Sequence, residues 1–359
     1  MMVSDETIGA QLDEAFLVLE SPVLLDGWMW WPAPAKVNRF LRIVGRREDG
    51  FHLIETFFQF VDWCDWIGVR KRDDAEFSLR GGVAGEDDLC LRAARFARHR
   101  AGVDVICGAD LRLIKRLPTG AGLGGGSSDA ATVLAALHAL WAVQEPLDSW
   151  AGASVELGAD VPVFVAGRAA FGSGIGDVLD FFEADEARLT IIAPNEHCST
   201  VEMYRDPALE RNAPKLGFDS TWIETLAKRG GRAPFENAFE PLARRYPSVD
   251  KVLRRADQAR LRAHLNGSGS SCVVYSPTVP YPMSTGFDHA GATVDSRGVL
   301  ALHGNARRAS EAPSGVDHER LLELIESSRA EGARVWSGSL CNRSMLFRAR
   351  LRHLEAFGP

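Results

Sequence analysis

The stretch that decides the fold is PTGAGLGGGSSDAA, residues 118–131. Five glycines fall within residues 120–126, and Ser127 and Ser128 follow before an apolar run begins at Ala130. A backbone without side chains can bring its N–H groups against an anion, and the N-terminus of the following helix adds about half a positive charge there. The stretch therefore predicts a phosphate-binding loop in a protein that uses a nucleotide.

Other kinds of glycine loop fit this stretch less well. A Walker A loop needs Gly-Lys followed by Ser or Thr, whereas Gly126 is followed by Ser127. A dinucleotide-binding turn would place an acidic residue at the end of a second strand about 20 residues later. Glu145 and Asp148 instead follow a predicted helix. A turn that only lets a helix pack closely remains open, but serines at a helix N-terminus favour capping or phosphate binding.

The loop resembles the phosphate loop of the GHMP kinases, the family of galactose, homoserine, mevalonate and phosphomevalonate kinases. Two further stretches resemble family signatures and occur in the family's order: PAKVN at residues 34–38 and NGSGSSC at residues 266–272. The resemblance implies an α+β, two-domain GHMP-kinase fold, with an N-terminal domain like ribosomal protein S5 and an α/β C-terminal domain. It also implies ATP as the phosphoryl donor, with Mg²⁺.

Further stretches narrow the resemblance to one subfamily. GRREDGFH at residues 45–52, LGADVPVF at 157–164 and LERNAP at 209–214 are similar to the GHMP kinases of the non-mevalonate isoprenoid route. These enzymes phosphorylate the 2-hydroxyl of a methylerythritol linked to cytidine diphosphate, which is the small-molecule substrate implied here. A homoserine- or mevalonate-type kinase and a non-catalytic binding protein of GHMP fold remain as alternatives.

Two charged residues are the candidate catalytic groups. Phosphoryl transfer to an alcohol needs a cradle for the donor, a cation for the developing charge and a group that takes the hydroxyl proton. Asp160 follows a Gly-Ala turn and is the candidate general base, although it could instead cap a helix. Lys36 lies in an apolar strand and is the candidate charge stabiliser, unless it is a surface lysine. The resemblance assigns these roles and adds Asn38 as a substrate-positioning residue.

The resemblance also implies nucleotide and pyrimidine contacts. Phe51 would stack on the cytosine, where the subfamily usually has Tyr, and His52 would hydrogen-bond its edge. His52 could instead be a structural histidine. Asp88 stands where the subfamily has Asn, which puts that position's adenosine contact in doubt. The implied ATP-binding residues are Lys115, Pro118, Gly120, Gly122, Leu123, Gly124, Gly125, Gly126, Ser127 and Ser128.

The chain divides into four predicted segments. Residues 1–27 are an acidic extension or short helix, 28–180 the N-terminal domain, 181–275 the C-terminal domain and 276–359 an atypical tail, partly loop or disordered. The periodicity predicts helices at 87–101, 130–143, 221–228, 238–245 and 317–330, and strands at 37–44, 110–117 and 189–193. The resemblance ends near residue 275, so we expect the tail to be an insertion or the product of an altered reading frame, outside the core.

Composition excludes several classes of protein. With 46% hydrophobic and 25% charged residues, the 359-residue chain is typical of a soluble globular protein. A net charge of -7 argues against nucleic acid as the main partner. The six cysteines form no C-x-x-C pair, which argues against a zinc site. Residues 1–35 contain no Lys or Arg, and no apolar run reaches about 20 residues, so we expect a cytoplasmic protein without a signal peptide or membrane span.

Overall fold

A computed structural model of the protein describes residues 4–82, 87–102, 108–218, 237–275, 292–294, 300–302 and 315–357. The helices within these ranges are α1 (Asp5–Leu19), α2 (Leu89–Ala101), α3 (Gly125–Leu140), α4 (Val161–Ala166), α5 (Thr200–Arg205), α6 (Glu240–Ala243), α7 (Pro247–Gln258), α8 (Gly315–Ala330) and α9 (Met345–Phe357). Two 3₁₀ turns, Leu147–Trp150 and Ala153–Glu156, join α3 to α4.

The strands are β1 (Val23–Leu25), β2 (Trp28–Arg46), β3 (His52–Lys71), β4 (Phe77–Arg80), β5 (Ala109–Ile114), β6 (Ala170–Ser173), β7 (Val178–Phe181), β8 (Arg188–Ala193), β9 (Ala263–Leu265), β10 (Cys272–Tyr275), β11 (Ala292–Val294), β12 (Leu300–Leu302) and β13 (Arg334–Cys341). The predicted helix at 221–228, Cys107 and most of residues 276–314 lie outside the described ranges.

One large mixed sheet organises the molecule. Its main path runs β1-β2-β3-β13-β8-β10-β9, while β5 and β6 also pair with β3 and carry β4 and β7. The long antiparallel hairpin of β2 and β3 is the spine, and its register shifts between Pro34 and Ala35. Proline lacks the N–H that a strand ladder needs, and a bulge changes the direction of the side chains that follow. The shift in register therefore helps to set the direction of the Lys36 side chain.

The predicted elements around the glycine loop are confirmed. The apolar run after the loop is helix α3, whose residues from Ser128 to Leu137 are all buried. The strands predicted at 37–44, 110–117 and 189–193 correspond to β2, β5 and β8, and the helix at 87–101 to α2. A helix buried on every face needs packing partners all round. Helix α3 therefore fixes the end of the glycine loop relative to the sheet.

The C-terminal segment corrects the prediction of a tail outside the core. Strand β13 pairs with β3 at Leu340 opposite Val61 and with β8 along residues 334–339. Helix α9 buries Met345, Leu346 and Ala349 in the largest apolar cluster. The segment 315–357 is thus part of the core, and it joins the two halves of the sheet.

The N-terminal residues also pack more closely than the sequence predicted. Helix α1 is capped by Ser4, whose side chain accepts a hydrogen bond from the N–H of Thr7. It buries Ile8, Leu12 and Phe16 against the main cluster, and β1 adds a strand to β2. Of the two predicted forms, an extension or a short helix, the structure has the helix, and β1 follows it as a strand. The boundary at residue 180 stays a prediction.

Across the described parts of the chain, every helix is too short or too polar to cross a bilayer.

Candidate active site

Glycine is required in the loop by its backbone conformation and by its neighbours. Gly120, Gly122 and Gly124 all have positive φ, between 67° and 73°, a region that L side chains rarely adopt. A Cβ atom at Gly122 would clash with the carbonyl oxygen of Asn266, and one at Gly124 would lie 2.8 Å from the ring of Phe164. The loop can therefore adopt this path only with bare backbone at these positions.

The second glycine motif braces the loop from behind. The N–H groups of Ser270 and Ser271 donate to the carbonyls of Gly120 and Ala121 at 3.3 and 3.2 Å. The side-chain amide of Asn266 donates to the Gly122 carbonyl at 3.1 Å. These bonds occupy the carbonyls of Gly120, Ala121 and Gly122, so the second motif contacts the loop through its carbonyls.

The N-terminus of α3 is open to an anion. Its first backbone bond runs from the Ser128 N–H to the Gly124 carbonyl, which leaves the N–H groups of residues 125–127 without a partner in the helix. The two serines differ in exposure. Ser127 is partly exposed, whereas Ser128 is fully buried. The phase of the helix turns the Ser128 side chain into the core, while its contact with ATP stays a prediction.

Substituting a loop glycine tests this geometry. We expect Gly122→Ala to lower the melting temperature and weaken ATP binding, because its φ of 73° is strained for alanine and the new methyl group clashes with Asn266. Gly126→Ala is the matched control for stability, since open space surrounds its Cβ position and alanine favours the helix. Thermal unfolding and nucleotide titration of both variants would decide. Equal melting temperatures would contradict a strained loop.

Lys36 is buried beside the loop and is no surface lysine. Only 5% of its side chain is exposed, and its backbone N–H donates to the Leu123 carbonyl at 3.0 Å. Its Nζ donates to Asn38 Oδ1 and lies 5.7 Å from the centre of the Phe58 ring. A buried ammonium needs such partners to offset the loss of water. The fold therefore holds this positive charge at the glycine loop.

Asp160 lies opposite this ammonium. Its Oδ2 is 3.6 Å from Lys36 Nζ, and 31% of its side chain remains exposed. Asp160 occupies the N-cap position of α4, yet its side chain makes no capping hydrogen bond there. The alternative role as a helix cap is therefore not what the structure shows. A partly exposed carboxylate beside a buried lysine can still reach a ligand.

Asn38 orients Lys36 through a buried network. Its amide nitrogen donates to Thr56 Oγ1 at 2.8 Å, so its Oδ1 faces Lys36. Its N–H donates to Asn266 Oδ1 at 2.8 Å, which ties β2 to the second glycine motif. Asn38 is only 2% exposed, and the structure shows its contact with Lys36. Its contact with the substrate stays a prediction. No sequence motif indicates Thr56, because its partner Asn38 is 18 residues away.

A histidine behind Asn38 links stability to pH. His264 Nε2 donates to the Asn38 carbonyl at 3.1 Å, and burial lowers the pKa of His264 to about 4. Between pH 6.5 and 4 the unfolded chain takes up more protons than the folded one at this residue. We expect the free energy of unfolding to fall as the pH drops through this window, by at most about 3 kcal/mol.

Denaturant unfolding at pH 7 and pH 5 checks this expectation. His264→Gln is the matched variant, since its amide can donate to the same carbonyl but does not titrate. The loss of stability between the two pH values should be smaller in the variant than in the wild type. The same loss in both proteins would exclude His264 as the titrating group.

Lys115 lies beside the loop but is paired with two carboxylates. Its Nζ is 2.5 Å from Asp65 and 2.9 Å from Asp129, both of which are buried. Burial alone would lower the pKa of Lys115, but the charges of Asp129 and Asp65 raise it above its usual value. Its Nζ also lies 3.3 Å from the Cβ position of Gly125. The ammonium is thus held at the start of α3, while its nucleotide contact stays a prediction.

The predicted pyrimidine pair lies at the turn between β2 and β3. Phe51 is 57% exposed, so its ring is available for stacking. The His52 ring stacks on Tyr204 with centroids 4.7 Å apart and accepts a hydrogen bond from Arg211. Burial, and after it the charges of Arg211 and Arg46, lower the pKa of His52. His52 is therefore a neutral imidazole at neutral pH.

The ring of Tyr204, which no sequence motif indicated, stacks on one face of the His52 imidazole. Burial and then the charge of Asp160 raise the pKa of the Tyr204 phenol.

Two further expectations concern binding groups. Asp88 caps helix α2, where its side chain accepts a hydrogen bond from the Cys90 N–H at 2.8 Å. This supports the doubt about an adenosine contact at that position. Within the described ranges, no group of three or more His, Cys, Asp or Glu residues could hold a metal ion. Magnesium that binds with ATP is commonly held by phosphates and one or two carboxylates, so a separate cluster is not required.

Comparisons with known proteins point to one family. The family model for the GHMP kinases N terminal domain matches residues 88–168. A 4-diphosphocytidyl-2-C-methyl-D-erythritol kinase of Xanthomonas campestris pv. campestris (strain B100) is 43% identical over 305 residues, covering 84% of this chain and 95% of the relative. A protein of the same name from Shewanella oneidensis is 45% identical over 227 residues, covering 62% of this chain and 76% of the relative.

Solved structures give the same result. A crystal structure of 4-(cytidine 5'-diphospho)-2C-methyl-D-erythritol kinase matches with a TM-score of 0.65 and 31% identity, covering 87% of this chain and 99% of that one. A homoserine kinase from Cytophaga hutchinsonii ATCC 33406 shares the fold at a TM-score of 0.54 and 15% identity, with 90% and 98% covered. From the glycine loop, the brace behind it and these relatives, we conclude that the chain belongs to the GHMP kinase family and is an ATP-dependent small-molecule kinase.

Proposed function

We propose that this kinase phosphorylates the 2-hydroxyl of 4-diphosphocytidyl-2-C-methyl-D-erythritol in the non-mevalonate route to isoprenoid precursors. The observation that carries the reaction is the pair of Asp160 and Lys36, 3.6 Å apart beside the glycine loop. The names of the relatives and the pair Phe51 and His52 support the choice of substrate.

Asp160 acts as the general base in this proposal. Its carboxylate is partly exposed and does not cap α4, so an oxygen is available to accept the proton of the acceptor hydroxyl. The acceptor oxygen then bonds to the terminal phosphorus of ATP, and the bond from that phosphorus to ADP breaks.

Lys36 stabilises negative charge on the oxygens around the transferred group. Its burial removes competing water, and Asn38 and Thr56 fix the direction of its amine. The charge is therefore already oriented when the reactants bind, which reduces the reorganisation that the reaction needs.

The glycine loop holds the phosphates of ATP. The N–H groups of residues 125–127 and the N-terminus of α3 suit an anion, and Ser127 offers a hydroxyl beside them. ATP supplies the phosphoryl group, and Mg²⁺ bound with it neutralises phosphate charge. The carboxylate of Asp160 and the hydroxyl of Ser127 are the oxygen ligands that this part of the site could offer such an ion.

The acceptor is tested by ADP release from the purified protein. We expect release with 4-diphosphocytidyl-2-C-methyl-D-erythritol and only background release with mevalonate or homoserine. Phosphorus NMR of the product should show the new phosphate on the 2-oxygen. Faster turnover with mevalonate or homoserine would replace the proposed substrate, and no release with any acceptor would favour a binding protein.

A further inference from the structure

Arg211 is fixed in one orientation by its own segment. Its Nη1 donates to the Leu209 carbonyl at 3.0 Å, and its Nη2 donates to the carbonyls of Tyr204 and Asp206 at 2.9 and 2.6 Å. A guanidinium is planar, so these three bonds leave its Nε–H with a set direction. That N–H points at His52 Nε2, 3.2 Å away.

The chemistry of this contact determines where the imidazole carries its proton. A guanidinium has only donors and does not lose its proton in proteins, so His52 Nε2 must present its lone pair. A neutral imidazole with a lone pair on Nε2 carries its hydrogen on Nδ1. The stack on Tyr204, with ring planes 23° apart, fixes the plane in which that Nδ1–H lies.

We propose that Arg211 is a positioning residue, which holds His52 in the Nδ1–H tautomer so that Nδ1 donates a hydrogen bond to a ring acceptor of the substrate's pyrimidine. This inference rests on the proposed function for the identity of the base. Cytosine offers acceptors at both N3 and O2, whereas N3 of uracil carries a hydrogen and would oppose a donor. A fixed donor at His52 that contacts N3 of the pyrimidine therefore favours a cytidine compound over a uridine compound.

The tautomer can be measured without any substrate. Nitrogen-15 NMR of the wild-type protein labelled at histidine should show His52 Nδ1 as a protonated nitrogen and Nε2 as an unprotonated one at pH 7.5. In Arg211→Met we expect Nε2 to gain proton character, since a neutral histidine side chain in water favours the Nε2–H tautomer. Arg205→Met, an exposed arginine of the same segment, should leave the wild-type pattern.

Kinetics then separate positioning from simple loss of structure. We expect Arg211→Met to raise the KM for the cytidine-linked acceptor about tenfold, with kcat changed by less than a factor of two, because one neutral hydrogen bond is worth about that much. In the His52→Ala background the same substitution should add less than a twofold change. A structural role of Arg211 would instead persist in both backgrounds.

The outcomes of these experiments distinguish the positioning role of Arg211 from the proposed substrate. Protonated Nε2 in the wild-type protein, or the same tautomer in Arg211→Met, would overturn the positioning role whatever the enzyme phosphorylates. The expected NMR pattern together with no turnover of the cytidine-linked acceptor would uphold the tautomer and reject the proposed substrate, and with it the pyrimidine contact. Equal effects of Arg211→Met with and without His52 would overturn the inference as well.

Discussion

Asp160→Asn is expected to lower kcat by roughly 10²- to 10⁴-fold, the range that a positioned general base contributes. Asparagine keeps the shape of the side chain but cannot take the acceptor's proton. The KM for ATP should change little, because the glycine loop and the start of α3 are untouched by the substitution. Steady-state assays of ADP release at saturating acceptor measure the effect.

Two controls protect this result. Asp180→Asn replaces an exposed carboxylate on β7 and should keep wild-type activity. Circular dichroism and thermal unfolding should show that Asp160→Asn is folded, although Lys36 loses a partner 3.6 Å away. A folded Asp160→Asn enzyme within tenfold of the wild-type kcat would reject Asp160 as the base.

Ending the chain after residue 275 is expected to abolish cooperative folding. The truncation removes β13 from its place between β3 and β8, so each of these strands loses one of its ladder partners in the middle of the sheet. It also removes α9, which covers the main apolar cluster. The lost ladder bonds and the exposed core surface are large compared with the roughly 5–15 kcal/mol by which domains are stable. Expression, size-exclusion chromatography and thermal unfolding measure the loss.

A point substitution tests the same strand without deleting chain. Leu340 in β13 is completely buried, so Leu340→Ala should cost about 2–5 kcal/mol of unfolding free energy. Leu351→Ala in α9 is the matched control, because that side chain is 42% exposed and should cost far less. A truncated protein that unfolds cooperatively, or equal effects of the two leucine substitutions, would show that the C-terminal segment is dispensable.

The parts of the site that could be predicted from the sequence are those built from short contiguous motifs. Residues 120–124 indicate a loop because Gly120, Gly122 and Gly124 have positive φ, where glycine has few substitutes. The motifs around Lys36 and Asp160 are equally local, so a family resemblance could place both. Their separation of 3.6 Å is a property of the fold, since one lies on β2 and the other before α4.

The remaining features depend on contacts between distant parts of the chain. Strand β13 pairs with β3 across about 280 residues, and a mixed, half-buried strand gives no local sign of its partner. The difference between Ser127 and Ser128 is set by the phase of α3, which the sequence hides because the helix is buried on most of its faces. Arg211 reaches His52 from 159 residues away, so neither position indicates the other in the sequence.

The most direct test is a structure of the protein with a non-hydrolysable ATP analogue and 4-diphosphocytidyl-2-C-methyl-D-erythritol. The account predicts the analogue's phosphates on the amides of residues 125–127, and the acceptor's 2-hydroxyl within about 2.6–3.2 Å of the Asp160 carboxylate. Lys36 Nζ should contact the terminal phosphate or the acceptor oxygen. An acceptor bound with this hydroxyl away from Asp160, or phosphates bound outside the glycine loop, would contradict it.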